Sequence, residues 1–386
     1  MSKRANGEGS IYQRKDGRWT AATYVLTLDG GRRRRQVYGA TRKAVSQQLG
    51  ELNSKTDRGI PAAVDSWTVE TYASHWLEEI TPTALRPSTR ANYAWVMRKY
   101  IVPLLGRNKL RSLRPDHVRK LHSGVLDLSV SPSTVQLAHA VLRSMLSEAM
   151  REQYVDRNVA LLTRPIRVEK KDVVPWSAQE ATTFLDSVDG HPFAGLFTLA
   201  LALGMRRGEL LGLRWQDVDL DERKLHVRQT VQRLGRGEGL VMGPPKTARS
   251  RRTIPLPKLC IDALIERRLV QDEDTRAIRE GWTELDLVFT TTIGTIIEPS
   301  NLRRSFNRAI ELAGVRQIRF HDLRHTCASL LLAQGVSMRV VMEILGHATM
   351  SITSDLYTHV SPNATATAVS GVSDLLTKTK KGTAHE

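Results

Sequence analysis

The chain has 386 residues and carries 57 Lys and Arg against 40 Asp and Glu, a formal charge of +17. That length makes two or three domains, and a hydrophobic content of 41% excludes wholesale disorder. Cys260 and Cys327 are too few for a disulfide framework, no Cys/His spacing suggests a metal site, and neither a signal peptide nor a membrane-length apolar run is visible. A soluble intracellular protein is expected, without metal or membrane, whose excess charge points to a polyanionic partner.

The charge is not evenly spread. Residues 1–60 hold 13 Lys/Arg and 5 Asp/Glu, net +8; residues 66–165 are net +6 and residues 166–386 net +4. The first segment is expected to be three strands and a helix. Ile11 leads into the turn Asp16-Gly17, Trp19 to Leu28 forms a second strand, Asp29-Gly30-Gly31 turns the chain again, and Arg32 to Tyr38 returns. Thr41 opens a helix to about Asn53. The run Arg32, Arg33, Arg34, Arg35 puts arginines on both faces of a sheet too small to bury both. Some must therefore face solvent, either as a solubilising edge or against a phosphate backbone.

Residues 54–67 read as a linker. Residues 68–152 then read as four helices. The apolar set Val69, Tyr72, Ala73, Trp76, Leu77 and Ile80 falls on one helical face. Ser88 is expected to cap a second helix that stops before Pro103, Pro115 to start a third, and Ser133 to open a long fourth. Val135, Ala138, Val141, Leu142, Met145, Leu146 and Ala149 would be buried on that last helix. Basic residues here, including Arg90, Arg98 and Lys99, are expected around helix ends and loops and form a second candidate DNA-binding set.

Residues 164–175 read as another linker. A mostly helical third domain, 172–386, opens at the capping box Ser177 to Glu180, with strands expected over Lys224–Leu234 and Arg252–Leu256. Four places in it could carry chemistry. An apolar helix, 193–203, delivers Arg206 at its end with Glu209 three residues later; alone, that is equally an ordinary ion pair. His321 and Arg324 share a face at a helix N-terminus, where backbone N–H groups favour an anion. Ser337 caps a helix ended by Gly346, and His347 follows, either as a functional imidazole or as a cap on the helix-end carbonyls. Tyr357 stands ten positions later, as packing or as a nucleophile needing a charged electrophile held against it. Arginines, imidazoles, a lysine and a tyrosine with no acidic pair describe phosphoryl transfer without metal. Arginine forks bind the non-bridging oxygens, and His or Lys moves protons.

The order G-M-R-R-G-E-L, K-T-A-R-S-R-R-T-I-P-L, H-D-L-R-H-T, L-G-H and Y-T-H-V resembles the tyrosine recombinase (phage integrase) family over about residues 172–362. Residues 66–165 are similar to its core-binding domain, and residues 1–60 resemble the arm-binding domain of many integrases. The resemblance implies a mainly α fold with small β elements (α+β) in three domains: 1–60 arm-binding, 66–165 core-binding and 172–386 catalytic. It implies Tyr357 as nucleophile, Arg206 and Arg324 as phosphate clamp and Lys246 as general acid. His321 would act as acid/base, His347 as a phosphate ligand and Glu209 as support for the clamp. Family members hold His347 and Tyr357 nine or ten positions apart; this chain has ten.

The implied reaction is site-specific integration and excision of a phage or mobile element, without cofactor, by a homo-tetramer on double-stranded DNA carrying core and arm sites. An excision factor or a host DNA-bending protein would be further partners, in the cytoplasm and at the nucleoid of a bacterial host. The rivals are a chromosome-dimer or plasmid resolvase of the same family and a non-catalytic DNA-binding regulator. The tail 363–386, with Val369, Val372, Leu375 and Leu376 at helical spacing, is expected to dock on a neighbouring protomer.

Overall fold

A computed structural model describes residues 10–26, 31–57, 59, 67–169, 173–234, 239–245 and 250–346. The chain divides into two compact units, Met1–Glu169 and Lys170–Glu386. Both are mainly helical with small antiparallel sheets, as the composition of motifs implies. No helix among the described residues is long and apolar enough to cross a membrane.

The first unit begins with an antiparallel meander of β1 (Ser10–Gln13), β2 (Trp19–Leu26) and β3 (Arg32–Gly39). Gly17, at φ +79°, closes the β1–β2 turn, where its N–H donates to the Arg14 carbonyl. Helix α1 (Arg42–Asp57) is opened by Thr41, whose hydroxyl accepts from the Ala44 N–H, and it runs one turn past the expected Asn53. Val45 and Leu49 of α1 pack on Ala21, while Thr23 donates to Asn53 at 2.6 Å, so one sheet face is fixed to the helix.

A separate core belongs to the helices that follow. Thr68 caps α2 (Val69–His75), and Tyr72, Ala73 and Trp76 of the expected apolar face are buried. The helix widens into a π turn at Trp76–Ile80 and continues through Thr81–Ala84. Helix α3 (Pro87–Val96) does the same, passing through a π turn at Met97–Ile101 into Val102–Leu105. It does not stop before Pro103. Proline lacks the N–H of a regular turn and its ring crowds the preceding one; the wider turn, with Val102 N–H bonded to Met97 O, makes room. The same arrangement precedes Pro82. The start of α3 also differs from expectation: Arg86, not Ser88, is its N-cap, because Pro87 supplies the first helical residue.

Helix α4 (Pro115–Leu126) begins at its proline. Helix α5 (Pro132–Arg151) starts one residue before Ser133, again on a proline, and buries all seven expected apolar residues. Each Val, Leu or Met among them contributes about 1.5–3 kcal/mol relative to exposure.

The second unit is built on α7 (Ala194–Leu203), apolar nearly all round and packed against α9 (Lys258–Ile278) and α11 (Asp322–Ala333). Before it, Ser177 and Glu180 form the expected capping box of α6 (Ala178–Ser187). Trp176, Phe184, Phe197, Phe306 and Phe320 make a connected aromatic core, with Phe306 on α10 (Pro299–Ala313). The Trp176 indole donates to the Arg316 carbonyl at 2.7 Å and its backbone N–H to the Thr326 hydroxyl on α11 at 3.1 Å. Arg316 in turn donates to the carbonyls of Val174 and Pro175 at 2.8 and 2.7 Å.

After α8 (Arg207–Leu211), β4 (Val218–Asp219), β5 (Lys224–Val227) and β8 (Arg252–Pro255) form one sheet in the order β4-β5-β8. The single strand expected over Lys224–Leu234 breaks after Val227; β6 (Thr230–Arg233) pairs instead with β7 (Leu240–Gly243) as a separate ribbon. Helix α12 (Met338–Leu345) has the expected ends, Ser337 accepting from the Val340 N–H and Gly346 left-handed at φ +66°.

Candidate active site

The site is assembled where α7 stops. Gly204 ends that helix at φ +58°, and a Cβ there would collide with the Leu345 side chain of α12 and crowd Cys327 of α11. The chain therefore leaves α7, passes Met205 and restarts at α8 with Arg206 as an extended N-cap residue, φ −71° and ψ 149°. Arg206 and Glu209 do meet, but not as neighbours along one helix. Glu209 sits at the third helical position and accepts the Arg206 backbone N–H at 3.0 Å and its Nη1 at 2.7 Å.

Glu209 is 2% exposed. Burial alone would raise its pKa; the cations Arg252 and Arg206 overcome this and hold it below the usual glutamate value. Arg252, on β8, donates Nη2 to the second Glu209 oxygen at 3.0 Å. One buried carboxylate thus faces two guanidiniums.

The same arginines grip the end of α12. Arg252 Nε donates to the Ile344 carbonyl at 2.7 Å, Arg324 Nη2 to Leu345 at 2.6 Å and Arg206 Nη2 to Gly346 at 2.8 Å. Three successive carbonyls that the helix itself leaves unpaired are taken up by three arginines, at the negative end of the helix dipole. Arg324 also donates Nη1 to the Gly204 carbonyl at 2.7 Å, so it bridges the ends of α7 and α12. Burial first, and then Arg206, press the Arg324 pKa down to about 9, still charged at neutral pH. Arg206 keeps 34% of its side chain exposed, which opens this corner of the cluster to solvent. Arg207 is exposed.

His321 stands at the start of α11, three residues before Arg324. Asp322 fixes this helix start: it accepts the Arg319 backbone N–H at 2.8 Å and the Arg319 guanidinium at 3.0 and 2.8 Å. His321 itself is exposed to solvent. The protein packed around its ring, then His325 and Arg324, push its pKa down to about 4, so it is neutral at pH 7. The His325 ring lies 5.3 Å away, edge to face.

The structure therefore brings Arg206, Glu209, His321 and Arg324 into one place. Lys246, His347 and Tyr357, and the tail 363–386, lie outside the described residues. Arg252 was not among the expected residues, although its signal was available. Buried Ile254 is two positions on in the same strand, so strand alternation turns Arg252 inward.

The other expected set lies in the first unit. On β3, Arg32 and Arg34 pair with Leu26 and Tyr24 and share the open sheet face, while Arg33 and Arg35 pair with Val25 and Thr23 on the α1 side. Three exposed tyrosines, Tyr12, Tyr24 and Tyr38, occupy the open face, with the Arg14 guanidinium 5.7 Å from the Tyr38 ring centre. Arg90 is exposed on the first turn of α3. Arg98 and Lys99 are exposed within the π turn, not at a helix end, because α3 continues past Pro103. Lys99 lies 5.3 Å from the ring centre of Trp95.

Comparison with known proteins decides the family. Residues 177–364 match the phage integrase family model, and residues 68–126 match the phage integrase N-terminal SAM-like domain. The chain belongs to the phage integrase family. Within it, a tyrosine recombinase XerC-like protein of Caldanaerobacter subterraneus subsp. tengcongensis is 29% identical over 360 residues, covering 89% of this chain and 92% of its own length. The integrase of Mycobacterium phage D29 is 29% identical over 366 residues, covering 90% and 92%. Two solved structures share the integrase fold. One is a Tn1549 transposon integrase in complex with circular intermediate DNA (TM-score 0.67, 17% identity, 80% of this chain and 100% of that one). The other is a lambda integrase tetramer bound to a Holliday junction (TM-score 0.57, 16% identity, 92% and 96%).

Proposed function

We propose that this tyrosine recombinase integrates or excises a phage or other mobile element by strand exchange through Tyr357. Family membership makes it an enzyme that cuts and rejoins DNA at specific sites. The observation that carries the residue assignment is the pair Arg206 and Arg324, held side by side on successive main-chain carbonyls with neutral His321 beside them.

In this reading a DNA phosphodiester binds against Arg206 and Arg324, whose charges stabilise the pentacoordinate transition state. The Tyr357 oxygen attacks phosphorus while the bond to the 5′ oxygen breaks. The tyrosine proton passes to His321 or to water, and Lys246 protonates the leaving 5′ oxygen. His347 donates a hydrogen bond to the phosphate. The 3′-phosphotyrosyl link retains the bond energy, so the 5′ hydroxyl of a partner duplex reverses the step without a nucleotide cofactor. The phosphate exchange is balanced: one P–O bond forms for each that breaks.

Division of labour belongs to the same proposal. Residues 1–60 bind an arm-type site through the open face bearing Arg32, Arg34 and the three tyrosines, and residues 66–165 hold the core site with Arg90, Arg98 and Lys99. Four protomers act on two duplexes, in the cytoplasm of a bacterial host and beside its nucleoid, with an excision factor or DNA-bending protein setting direction. A resolvase of the same chemistry is disfavoured by the arm-like N-terminal sheet. A non-catalytic regulator is disfavoured by the full set of Arg206, Lys246, His321, Arg324, His347 and Tyr357.

The test is a nicked suicide duplex carrying the attachment core. An SDS-resistant protein–DNA adduct that disappears in Tyr357→Phe is expected. Absence of the adduct with the correct core overturns the reading.

A further inference from the structure

We infer that Arg252 is a positioning residue for strand cleavage, locking the Arg206–Glu209 pair to the end of α12. This rests on the reading of Arg206 and Arg324 as the phosphate clamp, and adds a residue that never touches the phosphate.

The geometry separates Arg252 from the clamp arginines. Its side chain is 7% exposed, against 34% for Arg206. All three of its guanidinium nitrogens donate to protein acceptors: Nε to Ile344 O at 2.7 Å, Nη1 to Ser250 O at 3.2 Å and Nη2 to Glu209 Oε2 at 3.0 Å. Arg206 reaches the other Glu209 oxygen and the Gly346 carbonyl. The result is a closed circuit, Arg206 to Glu209 to Arg252 to Ile344 and back through Gly346. With two anchors at each end, the Arg206 fork cannot swing without moving α12 or β8.

Lysine cannot close this circuit. Its single ammonium has no planar fork with which to span a carboxylate on α8 and a carbonyl on α12. A misplacement of about 1 Å in a catalytic group slows a reaction on the order of 100-fold. Loss of the strut should therefore act on the cleavage rate and leave DNA affinity alone.

A second signature separates positioning from mere stability. Arg252 and then Arg206 hold Glu209 below the usual glutamate value, and the Arg324 charge also interacts with it. Removing the Arg252 charge lets burial raise Glu209, so the carboxylate becomes neutral at a higher pH and releases Arg206 there.

The experiment uses the full-length protein and the suicide duplex, with single-turnover cleavage measured from pH 5 to 8 and core binding measured by gel shift. Arg252→Met is expected to bind core DNA within about threefold of wild type, to cleave about 10- to 100-fold more slowly, and to move the acid limb of the rate profile to higher pH. Arg252→Lys is expected to keep the wild-type pH profile, because the charge remains, and still to cleave slowly. Wild-type rate and profile in a folded Arg252→Met overturn the proposal. Should Arg252→Met not fold, an Arg252→Lys protein as fast as wild type overturns the bridging role by itself. If wild type makes no Tyr357-dependent adduct, the underlying reading falls with it; if it does and the Arg252 variants match it, only the positioning role falls.

Discussion

Arginine occupies two different settings in this chain, and the contrast lies in what surrounds the guanidinium. In the second unit Arg206, Arg252 and Arg324 are held by a buried carboxylate and by the carbonyl end of α12, with Arg324 only 2% exposed. On the N-terminal sheet Arg32 and Arg34 stand on the open face among exposed tyrosines. The first arrangement fixes charge before any substrate arrives, in a poorly screened setting. The second leaves charge in water, where it attracts a phosphate backbone over a Debye length and is weakened by salt. Preorganisation suits transition-state stabilisation; exposure suits searching and tethering.

The sharpest way to test this contrast is Arg324→Ala, which should reduce single-turnover cleavage by at least about 100- to 1000-fold at any salt concentration. A loss recovered at low salt would place Arg324 with the sheet arginines instead. Next, Glu209→Gln leaves two guanidiniums without their anion. Breaking a buried pair typically costs about 3–5 kcal/mol, and partial exposure of Arg206 puts this case at the low end. Urea unfolding checks it, and an unchanged midpoint would mean the circuit contributes no stability.

A pH experiment follows from His321. Its folded value near 4 lies below the ordinary 6.5, so its neutral form is favoured by folding. That contribution is complete above about pH 6.5 and is lost as pH falls toward 4. Thermal unfolding should show less acid sensitivity over that window in His321→Asn than in wild type; equal sensitivity contradicts the shift.

The smallest effect is expected on the sheet. Arg32→Ala with Arg34→Ala should lower the slope of log K against log salt by about 0.9 for each lost phosphate contact, with core cleavage unchanged. A matching fall in core cleavage would erase the distinction between the two regions.

Much of the fold is written in local signals. Thr41, Ser177 with Glu180, Pro115, and Ser337 with Gly346 mark helix ends correctly because capping involves residues three or four apart. Pro103 misleads for the same reason: the widened turn that accommodates it is supported by buried Met97, Tyr100 and Ile101, whose packing is tertiary. The site is legible in part. Arg206, Glu209, His321 and Arg324 stand out as residue types in order, and the structure gathers them. Their partners at Gly204 and Ile344–Gly346 do not stand out, because a carbonyl belongs to every residue. Arg252 is hidden among four Lys and Arg between 246 and 252, where only strand alternation singles it out.

The mooring of Trp176 has a mechanical consequence. The chain enters the second unit at Val174–Trp176, and there Arg316 holds two carbonyls while Trp176 bonds to Thr326. Thr326 is two residues from Arg324, on the same rigid helix. Tension along the preceding segment is thus delivered to the base of α11 and not absorbed by slack. A tether pulled at residue 173 in a single-molecule force measurement would load the Arg316 contacts to Val174 and Pro175 first and then, through Trp176 and Thr326, the helix of Arg324.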